Sequence, residues 1–533
     1  MRSLLRLLAV TLPLAGGGMV LAWPPAPAPS APLGSPKFVP TADRPLGWRG
    51  DGSGRYPGAT PPTKWERRKS GSGYAAQGIA WATPLPNGGV SLPIIVNNRI
   101  YVTCEPWDLV CIDKASGTIL WIRSSAPFEG LSAEDKKALP GVDEKLAPLS
   151  AQLAKANQET VDALNGHMAT SISTAARGPA GPMTKKRDLE KQIDTQQLAL
   201  NKKTFENNWA QAVFGYAGPT PVTDGKRIFA FFTTGVSACY DLDGNRKWIN
   251  RGAGGGSEHG NFASPVLCGN RFVVWANEMR GYDTETGKLA WTVPAKSNNT
   301  YGSMFRLQAG AELVAGFQSG YFVRTRDGQR IWGDQCFGDS VQTPIVEGGL
   351  IFARMGYPIN NEESKGFKAF KIPGGAEGGG KPSPAYSFKM DWADDELAVD
   401  KKKNPFDRSF VASPLFLDGL IYNVTEGGGL FVNDAATGEL VYRKVLAMKP
   451  KTEYWNWAGV SASPTAAGKF VYLMDNQGTT IVLQPGPKYK EVSINVVEES
   501  KDGKAQEQNV STPIFEGTRM YYRSPNYLYC IGG

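Results

Sequence analysis

The sequence predicts an all-β repeat protein. Three observations carry that expectation. One short run of residue types recurs along the chain, glycine and tryptophan are abundant (62 and 14 of 533 residues), and the two ends hold complementary fragments of the recurring unit. The unit is clearest in ASPVLCGNRFVVWANEMRGYDTETGKLAW, from Ala263 to Trp291. Ser264-Pro265 begins a strand where proline's missing N–H removes no ladder bond. Gly269-Asn270 makes a tight turn, and Arg271 to Ala276 is a β-branched and aromatic run. A third short strand ends at Tyr282-Asp283. Thr284 to Gly287 then reverses the chain into Lys288-Leu289-Ala290-Trp291, Gly287 supplying the positive φ of the turn.

The pattern returns as Asp113…Gly117…Trp121, Asp241…Gly244…Trp248, Gly328…Trp332 and Asp434…Gly438…Tyr442, always with the aromatic four residues after the glycine. Weaker copies start at Thr343-Pro344, Ser463-Pro464 and Thr512-Pro513. A period of this kind marks a repeat architecture. These residues resemble the PQQ-like repeat, the β-propeller unit of quinoprotein dehydrogenases and of the BamB-type propeller in outer-membrane β-barrel assembly. The resemblance runs from about Trp48 to Gly533, insertions apart. It implies that each outer-strand Trp docks on the neighbouring blade over a small or apolar position, here Cys111, Cys239, Gly281, Val323, Val432 and Cys530. Unit starts at Ser91, Thr220, Ser264, Ser303, Thr343, Ser413, Ser463 and Thr512 imply eight blades. Gly78 to Leu85 reads as the last strand of a unit lacking its first three, and Tyr527 to Gly533 as a unit lacking its fourth. Joining them removes two exposed sheet edges. The expectation is therefore an eight-bladed β-propeller of PQQ-like repeats over 47–533, closed by the N-terminal strand and carrying an α-helical hairpin insertion.

Residues 1–22 hold Arg2, Arg6, an apolar run and a small residue at Ala22, the pattern of a Sec-type signal peptide cleaved after Ala22. The expected location is secreted or periplasmic, with no transmembrane segment in the mature chain. Residues 23–46 read as a Pro/Ala-rich tether, extended and poorly ordered. Gly47 to Gly54 reads as a surface turn, followed by a loop to Gln77. The formal charge of +8 is too mild to imply nucleic acid.

An insertion spans about 124–217. Leu146, Leu149, Leu153, Ala156, Thr160 and Leu164 fall three or four apart, as do Leu189, Ile193, Gln196 and Leu200. The spacing predicts two amphipathic helices paired as a hairpin on one propeller face, its apolar stripe packed in cis or against a partner. A second insertion, about 373–407, is glycine-rich and then charged; its acids lack the spacing of a calcium loop and read as solvated.

Six cysteines in an exported chain invite disulfides. Three of them occupy equivalent strand positions in different units, which is a packing pattern; Cys104 and Cys111 alone lie on neighbouring strands of one unit. With only His167 and His259 in the chain, most zinc and general-base schemes fall away. Loops that feed each first strand bring Glu258, His259, Asp339, Arg408, Trp455 and Trp457 toward one channel mouth if the ring closes. Such a set suits a ligand or peptide site, and equally a structural plug. By resemblance, a quinoprotein dehydrogenase holds PQQ with an adjacent-cysteine ring, a calcium ion and an aspartate base, and none of these is matched residue by residue. The reading is thus a non-enzymatic scaffold for a protein partner or small ligand at the propeller face, with no cofactor expected. A divergent quinoprotein oxidoreductase using PQQ with calcium is the alternative.

Overall fold

The computed structural model describes residues 31–174, 180–206, 215–252, 263–275, 278–294, 302–333, 336–337, 342–354, 366–374, 381–389, 411–448, 459–499 and 511–533. Its strands form seven four-stranded antiparallel sheets and one seven-stranded sheet. In the Ala263–Trp291 unit the four strands are Val266–Cys268, Arg271–Trp275, Glu278–Asp283 and Leu289–Pro294, paired in sequence order. A register shift recurs between the third and fourth strands, at Cys111/Ile112, Cys239/Tyr240, Gly281/Tyr282, Val432/Asn433 and Cys530/Ile531. It follows the small residue each time. That residue pairs directly with the outer-strand aromatic, Cys111 with Trp121 and Gly281 with Trp291. At Gly281 a β-carbon would sit 2.2 Å from the Trp291 ring, so the indole itself dictates the small partner.

Each indole then reaches the next sheet. The rings of Trp81, Trp121, Trp248 and Trp291 lie over Gly117, Gly244, Gly287 and Gly328 of the following units. Trp248 Nε1 donates to the Thr284 carbonyl at 3.1 Å, and Trp291 Nε1 to that of Thr325 at 2.9 Å. The turns they meet are fixed by aspartate: Asp283 Oδ1 accepts from Glu285 and Thr286 N–H at 3.2 and 2.9 Å, Asp434 Oδ1 from Ala436 and Thr437 at 2.9 and 2.8 Å. These backbone bonds hold both carboxyls below their ordinary range. The Asp-x-x-x-Gly-x-x-x-Trp pattern is therefore an interblade clamp.

The expectation of an eight-bladed propeller is corrected to seven four-stranded blades and one wider sheet. Seven units are four-stranded blades, whereas the sheet containing Thr465–Ala467, Phe470–Met474, Thr479–Leu483 and Glu491–Val497 is widened by N-terminal strands on both edges. Arg55–Tyr56 pairs in parallel with Ala466 and Ala467 at the inner edge. Glu66–Ser70 pairs in parallel with Val496 and Val497 at the outer edge, and Gly73–Gln77 adds outside it. The segment read as a loop to Gln77 thus holds three strands. The first is too short for alternation to show, and ERRKS is polar throughout. The next strand, Ile79–Pro84, pairs antiparallel with Tyr527–Ile531 and joins the chain's two ends in one sheet.

The insertion after the first unit contains helices Val142–Ser171 and Ala180–Leu200. They run antiparallel, Lys185 reaching Glu159 at 2.8 Å. Leu146, Leu153, Ala156, Thr160, Leu164, Leu189 and Ile193 are buried, so the stripe packs in cis. The hairpin covers outer strand edges: Asn165 caps Ile119 on both sides, accepting its N–H at 2.8 Å and donating to its carbonyl at 2.9 Å. Gln197 is buried in place of the expected Gln196, and its Oε1 accepts the Phe128 N–H at 2.9 Å. Within the second insertion, Ser383–Lys389 supplies the fourth strand of its blade. All six cysteines are free thiols. Cys104 opposes Asp108 and Cys111 opposes Tyr101, which separates the suspected pair by three residues along the ladder and puts them on opposite faces.

Candidate functional site

The wall of the central channel is made by the first strands, and their Ser/Thr-Pro starts are bonded to one another. The residue before a proline is extended, which turns its N–H sideways toward the next sheet. Thr220 N donates to Ser264 Oγ at 3.0 Å, Ser303 N to Thr343 Oγ1 at 2.7 Å, Thr343 N to Ser413 Oγ at 2.9 Å, Ser413 N to Ser463 Oγ at 3.0 Å and Ser463 N to Thr512 Oγ1 at 2.9 Å. Leu92 N joins through Thr220 Oγ1 at 3.0 Å. The hydroxyl before each proline thus stitches the inner ring, a role the sequence reading gave only to the proline.

At the end where first strands turn into second strands, the chain's own N-terminal arm fills part of the channel. Leu33 and Leu46 are buried, so the stretch read as an extended tether is packed from there on. Gly517 N donates to the Gly34 carbonyl at 2.7 Å, and Leu46 exchanges backbone bonds with Thr223 at 3.0 and 2.8 Å. The expected surface turn Gly47 to Gly54 is exposed at Asp51 and Gly52, while its Arg49, Gly50 and Gly54 are buried. Arg49 is 2% exposed and donates to the Pro414 carbonyl at 2.9 Å and the Pro464 carbonyl at 2.6 Å. Burial pulls its guanidinium down to about 10. Gly54 is needed there because a β-carbon would strike the Arg49 guanidinium at 2.3 Å. Between the arm and the first strands of four sheets remains a cavity of about 390 Å³.

At the opposite end, turns between second and third strands meet described residues that precede the first strands. Several of their polar side chains are engaged. Gln318 Oε1 accepts from Gly302 N, Gln342 Nε2 donates to the Ala412 carbonyl, and Arg523 donates to the Ser91 carbonyl at 3.1 Å and to its hydroxyl. Asp475 Oδ1 accepts from Gln477 and Thr479 N–H at 2.9 and 2.8 Å. Burial lowers both Arg523 and Arg354, the latter to about 10. Glu105 accepts from Tyr216 N at 2.8 Å and Ala217 N at 2.8 Å; its low-polarity surroundings outweigh these bonds and push its carboxyl up to about 7.

A family model described as outer membrane protein assembly factor BamB matches residues 174–366 and 403–532, more than half of the chain. The chain belongs to this PQQ-repeat family. Among solved structures, it is similar to BamB from Moraxella catarrhalis (14% identity, 58% of this chain and 80% of that one, TM-score 0.40). It is also similar to the quinohemoprotein alcohol dehydrogenase of Comamonas testosteroni (12% identity, 86% and 76%, TM-score 0.46) and to the computationally designed Ika8 protein (9% identity, 84% and 97%, TM-score 0.43). At these scores they bear on neither activity nor partner. No curated protein matches.

For this PQQ-repeat chain, the six residues expected at the mouth, Glu258, His259, Asp339, Arg408, Trp455 and Trp457, lie outside the described residues. So do residues 1–30, which include the expected signal peptide, and the acidic run from Asp391 to Glu396. Among the described residues no helix is long and apolar enough to cross a membrane, and no cluster of three or more His, Cys, Asp or Glu side chains is placed to hold a metal ion. No two cysteines are adjacent in the sequence, so a cofactor-capping disulfide ring of adjacent cysteines cannot form. Two features escaped the sequence reading. Arg49 in the channel had a signal in the glycines packed around it, and the buried group Asp108, Lys186 and Glu190 under the hairpin had none.

Proposed function

We propose that this chain is an exported, non-enzymatic propeller scaffold that binds a protein partner or small ligand at the channel mouth through Glu258, His259, Asp339, Arg408, Trp455 and Trp457. One observation carries the reading. Two described side chains at that end, Gln342 and Arg523, bond across to the start of a neighbouring unit and brace the ring. Such a wall is a rigid frame, and recognition falls to the loops it supports. Chain order supports the grouping, because each of the six residues lies between the fourth strand of one sheet and the first of the next. The description of the matching family, an outer membrane protein assembly factor, suits a protein partner in the cell envelope.

The enzyme alternative separates on the cofactor. Titrating the full chain with PQQ and calcium should give no saturable uptake and no dye-linked alcohol or sugar oxidation. One cofactor bound per chain, with turnover, overturns the scaffold reading.

A further inference from the structure

The walls of the cavity beside the arm have a definite chemistry. Phe305, Leu307 and Val346 give it an apolar side, and Trp48 of the arm an aromatic one. Three charged side chains line it: Asp51, Arg55 and Arg306. Two are committed. Asp51 Oδ1 accepts from the Ser53 N–H at 3.0 Å and from its hydroxyl at 2.5 Å, and Arg55 pairs with Glu347 at 2.6 Å. Arg306 is different. Its guanidinium is held by two backbone carbonyls, Asp43 at 2.8 Å and Leu267 at 3.4 Å, with no carboxylate paired to it among the described residues. These bonds fix the guanidinium without neutralising it. Solvent reaches the cavity past the exposed Asp51, Gly52 and Gln308.

A fixed guanidinium with no carboxylate paired to it among the described residues, at the edge of an apolar pocket, favours an anion with an apolar body. The carboxylate or sulfonate gains a charge-assisted, two-point contact, and the body leaves water against the aliphatic and aromatic walls. The volume of about 390 Å³ falls in the range of small-molecule pockets. We propose that this pocket binds a small amphipathic anion, its charged group on Arg306 and its body against Leu307 and Val346.

The probe pair is anilinonaphthalene sulfonate and its neutral relative N-phenylnaphthylamine, titrated by fluorescence into the folded full-length chain. The sulfonate should bind saturably at one site, more weakly as salt rises. Arg306→Gln should weaken the sulfonate roughly tenfold or more while changing the neutral probe by less than about threefold. Val346→Trp, at a half-buried wall position, fills the space and should abolish both without lowering the melting temperature. If Arg306→Gln loosens the arm, Val346→Trp and the salt dependence decide alone. Absence of saturable sulfonate binding, binding indifferent to salt, or both probes surviving Val346→Trp overturns the proposal.

Discussion

Asp108, Lys186 and Glu190 form the most demanding side-chain group in the described molecule. Lys186 Nζ lies 2.5 Å from Asp108 and also bonds Glu190, all three being at most 5% exposed. Ser124 donates to Asp108 at 2.6 Å. Burial alone pulls Lys186 down, yet the two carboxylates hold it above its ordinary value. One ammonium cannot balance two carboxylates, and burial pushes Glu190 up to about 8 from an ordinary 4.5. The native chain therefore keeps a proton that the unfolded chain releases. This contribution to stability is complete below pH 4.5 and is lost as pH rises through about 8. Glu190→Gln mimics the protonated acid, so it should be close to neutral at low pH. It should exceed the wild type in stability above pH 8, measured by urea melts across the range. Lys186→Met strands the buried Asp108 carboxylate and should cost about 3–5 kcal/mol at neutral pH. Nothing in the sequence foretold this group, because its members lie on a strand and a helix far apart in the chain and show no spacing.

Helical periodicity told a little more about the hairpin. The apolar spacing located both helices, since burial of one face is what creates it. It could not say which surface receives that face, nor that Asn165, a polar residue, seals the open edge of Ile119–Ser124. Asn165→Ala leaves the Ile119 N–H and carbonyl without their partner and should cost about 1–3 kcal/mol, measured by the urea midpoint. Its effect on hydrogen exchange should be greatest along Ile119–Ser124. Replacing the hairpin by a short linker should be far more costly, because it exposes Asp108 without Lys186 along with that strand edge. Two strands of the N-terminal arm, Arg55–Tyr56 and Glu66–Ser70, were illegible for a different reason: they add to existing edges in parallel, where partner geometry rather than side-chain alternation selects them.

At the scale of the whole molecule, the repeat was readable because the Trp–Gly clamp is one contact written many times. The seven-stranded sheet was not, because its extra strands come from outside the repeat. Pairing of Ile79–Pro84 with Tyr527–Ile531 ties an N-terminal strand to the last strand of the chain. Trp81 lies buried over Gly117, and Trp81→Ala should cost about 3–5 kcal/mol in a thermal or urea melt. Removing Gly78 to Pro86 uncovers the edge of Tyr527–Ile531 and should drive aggregation.

The functional account turns on the loops at the mouth, and the double variant Trp455→Ala, Trp457→Ala tests it most directly. Affinity recovery of partners from the exported fraction is compared with the melting temperature of the same purified variant. Aromatic anchors at a binding site commonly carry about 2 kcal/mol each, roughly thirtyfold in affinity. The scaffold reading predicts that recovery is lost while melting is nearly unchanged. A fall in stability by the core-truncation amount, about 3–5 kcal/mol, with full recovery by the folded fraction, would contradict it and make the two indoles a structural plug.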